Sequence, residues 1–117
     1  MNTEFEAQLT KALLLRTPWV VKDVQRDQEG LRIDVEIGFE DGWLACPACG
    51  ATKQPVHDRL HRSWRHLDFD QFVVWLHCDV PRVGCGNCNK TTQACVPWAQ
   101  PGSGFTAAYE AVALSLC

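Results

Sequence analysis

Cys46, Cys49, Cys85 and Cys88 form two C-x2-C pairs, "CPACG" and "CGNCN", with 35 residues between them. Each pair closes a tight turn in which two sulfurs and nearby backbone N–H groups converge on one point. Four thiolates at the corners of a tetrahedron suit Zn²⁺. Gly50 follows the first pair, where such turns call for positive φ, and Asn89 follows the second. The 35-residue separation fits two strands joined by a turn. Four cysteine ligands leave no open coordination position, so the metal is expected to be structural, one ion per chain. Iron in a rubredoxin-like site satisfies the same ligands. A redox dithiol fits less well, because two pairs are present without a βαβ pattern. Cys78 falls on the apolar side of a strand and is expected in the core. Cys95 is expected beside the metal turn, and Cys117 is terminal. Four histidines, His57, His61, His66 and His77, could replace a ligand, but the well-spaced cysteines leave them no vacancy.

A second stretch, "KQPVHDRLHRSWRHLD", repeats Arg59, Arg62 and Arg65 every three residues around Trp64. Guanidinium groups bind phosphates bidentately and read guanine edges, and an aromatic ring can stack or wedge. The candidate DNA contacts are Lys53, Arg59, His61, Arg62, Arg65, Arg82 and Lys90. The plainer reading of the run is a solvated strand face with Trp64 in the core. No Ser/His/Asp order, phosphate-binding glycine loop or paired-carboxylate signature stands out. The expectation is a protein that is not an enzyme and takes no small-molecule substrate.

These residues sit in a chain of 117, enough for one domain or two very small ones. No apolar run is long enough to cross a bilayer, and the acidic start lacks the basic leader of a secretory signal. The reading is cytoplasmic, where an odd count of seven cysteines points to metal rather than disulfides. The net charge of −3 hides an asymmetry: residues 1–45 sum to −4 and residues 46–117 to +1. Charge acts locally at physiological salt, so the basic cluster outweighs the total.

The elements that must position these groups are legible in outline. Thr3 and Glu6 have capping-box spacing, and Phe5, Leu9, Ala12 and Leu13 make one apolar stripe, which predicts a helix over 3–15. "WVVKDV" and "LRIDVEIGF" predict a hairpin, the second run alternating cleanly from Leu31 to Phe39. "HRSWRHLDF" and "FVVWLHCDVPRV" look extended, with a turn at Asp70 and Gln71. "VPWAQPGSG" has the composition of a linker, and Thr106 can cap a last short helix striped by Tyr109, Val112, Ala113 and Leu116. The expected class is therefore α+β. An αββ unit over 1–42 precedes a zinc-ribbon-like β domain over 43–98, and 99–117 holds a linker and a short helix that reads as the first helix of a segment cut short.

In order, "CPACG", "VHDRLHRSWRHLDF", "VPRVGCGNC" and "VPWAQPGSGFT" resemble the N-terminal region of bacterial insertion-sequence transposases of the ISL-three family. The upstream "PWVVKDVQRDQEGLRIDVEIGF" resembles the family's lead-in, so the likeness runs from about Pro18 to Phe105. It implies a zinc-ribbon-like finger with ligands at Cys46, Cys49, Cys85 and Cys88, ahead of a helix-turn-helix and a DDE-type catalytic domain. The chain stops at Cys117, so the expectation is a non-catalytic fragment that recognises the element's terminal inverted repeats at the nucleoid. The alternative is a zinc ribbon for protein–protein assembly, including a homo-oligomer of the transposase.

Overall fold

The computed structural model of the protein describes residues 15–115. The helix expected over 3–15 and the terminal Leu116 and Cys117 lie outside these residues, apart from Leu15. Six strands follow in order: β1 (Trp19–Asp27), β2 (Arg32–Phe39), β3 (Trp43–Leu44), β4 (Gln54–Arg65), β5 (Val73–Gly84) and β6 (Thr91–Gln93). One helix, α1 (Ala107–Ser115), closes the described chain. The strands make one sheet in the order β1-β2-β5-β4-β3, with β6 pairing β5.

Period-two patterning builds it. Along β2 the residues alternate buried and partly exposed from Ile33 to Phe39, and along β5 the same alternation buries Val74, Leu76, Cys78 and Val80. In the β1–β2 turn, Asp27 Oδ1 accepts hydrogen bonds from the backbone N–H groups of Glu29 (3.1 Å) and Gly30 (3.0 Å). The register of β1 on β2 slips at Lys22, whose stem lies across Gly38. A Cβ at Gly38 would stand 2.3 Å from Lys22 Cδ, so a larger residue there would push the lysine stem aside. β2 then pairs with β5 in parallel, Ile33 opposite Val74 and Ile37 opposite Cys78. This ladder ties the first hairpin to the long β4–β5 hairpin.

The core lies on one face of the sheet. Ile33, Val35, Trp64, Leu76, Cys78 and Val80 are fully buried there. A non-strand segment covers them. The "VPWAQPGSG" stretch is a loop, as its composition predicts, but it carries Trp98 into the core at 2% exposure. The Trp98 ring meets Trp19 and Trp64 edge-on at 5.2 and 5.1 Å, a favoured geometry for aromatic pairs. The loop's far end is pinned to β4, because Arg65 N donates to Gly104 O (2.9 Å) and Thr106 N donates to Arg65 O (2.9 Å).

The α+β expectation is overturned. The described chain is a β-sheet fold with one nine-residue helix. The two strands expected in the αββ unit and those expected in the ribbon belong to one sheet. The physical reason is that β2 exposes a free edge after its hairpin forms. The neighbouring apolar β5 satisfies those backbone groups directly. Among the described residues no helix is long and apolar enough to cross a membrane.

Candidate metal centre and basic surface

The two C-x2-C turns are near copies of each other. Cys46 N donates to Ala51 O (2.9 Å), and Cys85 N donates to Lys90 O (3.0 Å). Gly50 N donates to Cys46 O (2.8 Å), and Asn89 N donates to Cys85 O (3.0 Å). Gly50 has φ of 80° and Asn89 of 58°, the left-handed conformation that glycine and asparagine tolerate best. Cys85 Sγ accepts N–H groups from Asn87 (3.3 Å) and Cys88 (3.4 Å). Gln54 locks the turns together: its Oε1 accepts from Gly86 N (2.9 Å) while its Nε2 donates to Thr52 O (2.8 Å).

The four sulfurs lie within 4.8 Å of one another. Cys46 and Cys88 are 3.8 Å apart, and Cys49 and Cys85 are 3.6 Å apart. A tetrahedral zinc with bonds of about 2.3 Å needs sulfurs about 3.8 Å apart, so the donor set fits one structural Zn²⁺. A small apolar cluster backs the site, formed by Cys46, Cys85 and Val83 with Leu44 and Ala51 against them. The thiols hold protons unevenly. The Asn87 side-chain amide, helped by the Ala51 backbone, lowers Cys49 to about 6. The Lys90 backbone pulls Cys88 down, but desolvation and the three neighbouring sulfurs outweigh it and raise the thiol to about 11. A bound dication would displace that last proton.

The remaining thiols divide by burial. Cys78 is wholly buried, and desolvation pushes it up to about 12, so it is an inert core residue. Cys95 is exposed. No histidine joins the four sulfurs. His66 is buried with its Nδ1 2.8 Å from Thr106 Oγ1, and His77 and His61 contact Asp34 and Asp79.

The basic residues named from sequence do not form one patch of free cations. Arg59 donates to the carbonyls of Phe39 (3.1 Å) and Asp41 (3.5 Å). Arg62 lies over the Trp64 ring and donates to Ser103 O (3.2 Å). Arg65 pairs with Asp68 at 2.7 Å and lies over Tyr109. Arg82 grips Asp58 in a two-pronged pair that holds the carboxyl below its ordinary value. His61 Nδ1 is 2.8 Å from Asp79. Lys53 and Lys90 are exposed beside the two cysteine turns, at the other end of the arginine run.

Two features were hidden from sequence reasoning. Ser63, His77 and Asp34 form a chain across β4, β5 and β2, with Ser63 Oγ 2.8 Å from His77 Nδ1 and His77 Nε2 2.6 Å from Asp34 Oδ1. The three residues come from three strands, so no spacing advertises them. They lie on an open sheet face, and Asp34 is also held by Arg32 at 2.8 Å, which suits an interstrand clamp. The other feature is Trp43, a β3 tryptophan left 61% exposed. Its signal was a tryptophan among glycine and alanine just before the first cysteine pair.

Residues 44–88 match the family described as the zinc-finger of transposase IS204/IS1001/IS1096/IS1165. Residues 44–88 carry an ISL-three transposase zinc ribbon. The chain is also 32% identical over 98 residues to the transposase for insertion sequence element IS1557 from two strains of Mycobacterium tuberculosis, CDC 1551 / Oshkosh and ATCC 25618 / H37Rv. That alignment takes in 78% of this chain and 22% of the relatives' length. No solved structure matches the chain. The ISL-three zinc ribbon accounts for the two cysteine turns and for β3, β4 and β5, which carry them.

Proposed function

We propose that the chain is a zinc-dependent DNA-recognition module of an insertion-sequence transposase, and that it engages the terminal inverted repeats in the bacterial cytoplasm, at the nucleoid. The observation that carries the reading is the fit of four sulfurs to one zinc within a stretch matching a transposase zinc ribbon. Cys46, Cys49, Cys85 and Cys88 would hold the ion. The ion supplies no reaction chemistry, because four protein ligands close its coordination sphere. It joins the turn after β3 to the turn after β5 and so fixes the end of the sheet. Residues 43–98 would form the ribbon, residues 1–42 its N-terminal support, and residues 99–117 the lead into a helix-turn-helix. Strand joining would belong to a DDE-type catalytic region of the transposase and not to these residues. Phosphate contacts would be drawn from Lys53, Arg59, His61, Arg62, Arg65, Arg82 and Lys90.

A second reading, a module for transposase self-assembly, is favoured by the half-exposed Leu60 and Phe105, at 48% and 45%. The two readings separate by salt. Phosphate binding by several cations falls steeply between about 50 and 200 mM salt. Self-assembly through apolar contacts changes little over that range and instead depends on protein concentration. Fluorescence anisotropy with labelled duplex DNA, paired with sedimentation velocity, decides between them. A chain that binds no DNA at low salt overturns the first reading.

A further inference from the structure

The DNA reading leaves open which surface meets the duplex, and the sheet's cysteine end suggests one. Trp43 pairs with Pro55 and Gly84 pairs with Thr91 in antiparallel ladders, where directly opposed residues share a face. Val56 opposes Val83 on the reverse face, which puts Pro55 and Gly84 on the same side of the sheet. A Cβ on Gly84 would stand 3.3 Å from His57 Cβ, so His57 lies on that side too. Trp43, Pro55, His57 and Thr91 are all exposed. Lys53 stands two residues from Pro55, and Lys90 is next to Thr91, both exposed.

Acidic residues are sparse around this face: Asp41 stands two residues before Trp43, and Asp58 shares the face with its partner Arg82. Residues 42–57 and 80–109 contain no aspartate or glutamate. The nearest carboxylate after β4 begins, Asp58, is already gripped by Arg82. A zinc tetrathiolate would carry two formal negative charges, but Cys46, Cys85 and Cys88 pack with Leu44 and Val83, leaving only Cys49 exposed. At 61%, Trp43 is the most exposed large apolar side chain among the described residues. The arginines of β4 and β5, by contrast, each hold an acid, a carbonyl or a ring within the chain.

We propose that the face carrying Trp43, Pro55, His57 and Thr91, flanked by Lys53 and Lys90, is the DNA-contacting surface. Lys53 and Lys90 take phosphates, and the Trp43 ring, on the outer strand β3, packs on a neighbouring sugar–base edge. Arg59, Arg62, Arg65 and Arg82 hold the sheet and its loops together. This rests on the DNA reading above.

The test uses the zinc-loaded chain and a fluorescein-labelled mixed-sequence duplex, titrated across salt. The variants are Lys53→Gln with Lys90→Gln, Trp43→Ala, and, as a comparison, Arg26→Gln, an exposed cation on β1. The double lysine variant is expected to lower the slope of log affinity on log salt by about two, roughly one for each phosphate that the protein no longer neutralises. Trp43→Ala is expected to weaken binding at least about fivefold, the low end for removing an aromatic ring packed against a nucleotide. Arg26→Gln is expected to leave the salt slope unchanged. Zinc content and circular dichroism confirm that each variant keeps the ribbon. Wild-type chain that fails to bind the duplex overturns the DNA reading itself. Wild-type binding with an unchanged slope and affinity in the lysine and Trp43 variants overturns this surface alone.

Discussion

Cys49 and Cys78 carry the same thiol and differ by burial and donors. Cys49 is exposed, accepts a hydrogen bond from Asn87, and falls to about 6; Cys78 has no water around it and rises to about 12. Nucleophilicity resides in the thiolate, so iodoacetamide at neutral pH should label Cys49 in metal-stripped chain and leave Cys78 untouched while the fold holds. Mass spectrometry of the digested adduct checks this, and rapid native labelling of Cys78 would contradict its burial. Zinc loading should protect Cys49 but not the exposed Cys95, which has no place among the four sulfurs. Cys85→Ser should reduce zinc from about one ion per chain to a trace, because three thiolates and a hydroxyl make a much poorer site. Elemental analysis after gel filtration reads the difference.

At the scale of elements, the loop before α1 contributes more than its composition suggests. Trp98 fills the space between Trp19 and Trp64, and truncating it to alanine should cost about 3–5 kcal/mol, the range for a large buried aromatic. Urea unfolding of Trp98→Ala measures this; a loss under about 1 kcal/mol would mean that the core closes without it. Thr106 starts α1, with its Oγ1 accepting from Tyr109 N (3.2 Å) and meeting His66 Nδ1. Burial, with Arg65 nearby, holds His66 below its usual 6.5. Above pH 6.5 both folded and unfolded chains carry it neutral, and the stability is complete. Below that value the unfolded chain takes up a proton that the folded chain refuses, so stability falls as pH drops toward the folded value. Denaturation midpoints at pH 7.5 and 5.5 should differ in that direction, and His66→Phe should reduce the difference.

For the whole molecule, two apolar clusters predict two grades of dependence on metal. The large cluster spans β2, β4 and β5 with Trp98, and the small one holds only the cysteine end. Binding energy for a site absent from the unfolded chain becomes folding energy, so chelation should lower the melting temperature. The loss should begin locally. Backbone amides of 44–56 and 84–93 should lose hydrogen-exchange protection first, while β2 and the middle of β5 keep theirs. Equal loss throughout would mean that zinc holds the entire sheet.

The four clustered cysteines and the alternation of β2 and β5 can be read directly from the order of residues. Both follow from local rules: a C-x2-C turn brings two ligands together within four residues, and a pleated strand sends alternate side chains to opposite faces. The same order also carried the family likeness, whose zinc ribbon the comparison matches over 44–88. Tertiary structure alone decided that β2 runs parallel to β5, that Trp98 leaves its loop for the core, and that most arginines of the basic run are already engaged. Each of those depends on which distant segments meet. Strand pairing across the β2–β5 gap and partner choice by a long guanidinium are settled by total burial and hydrogen bonding, and neither leaves a periodic trace along the chain.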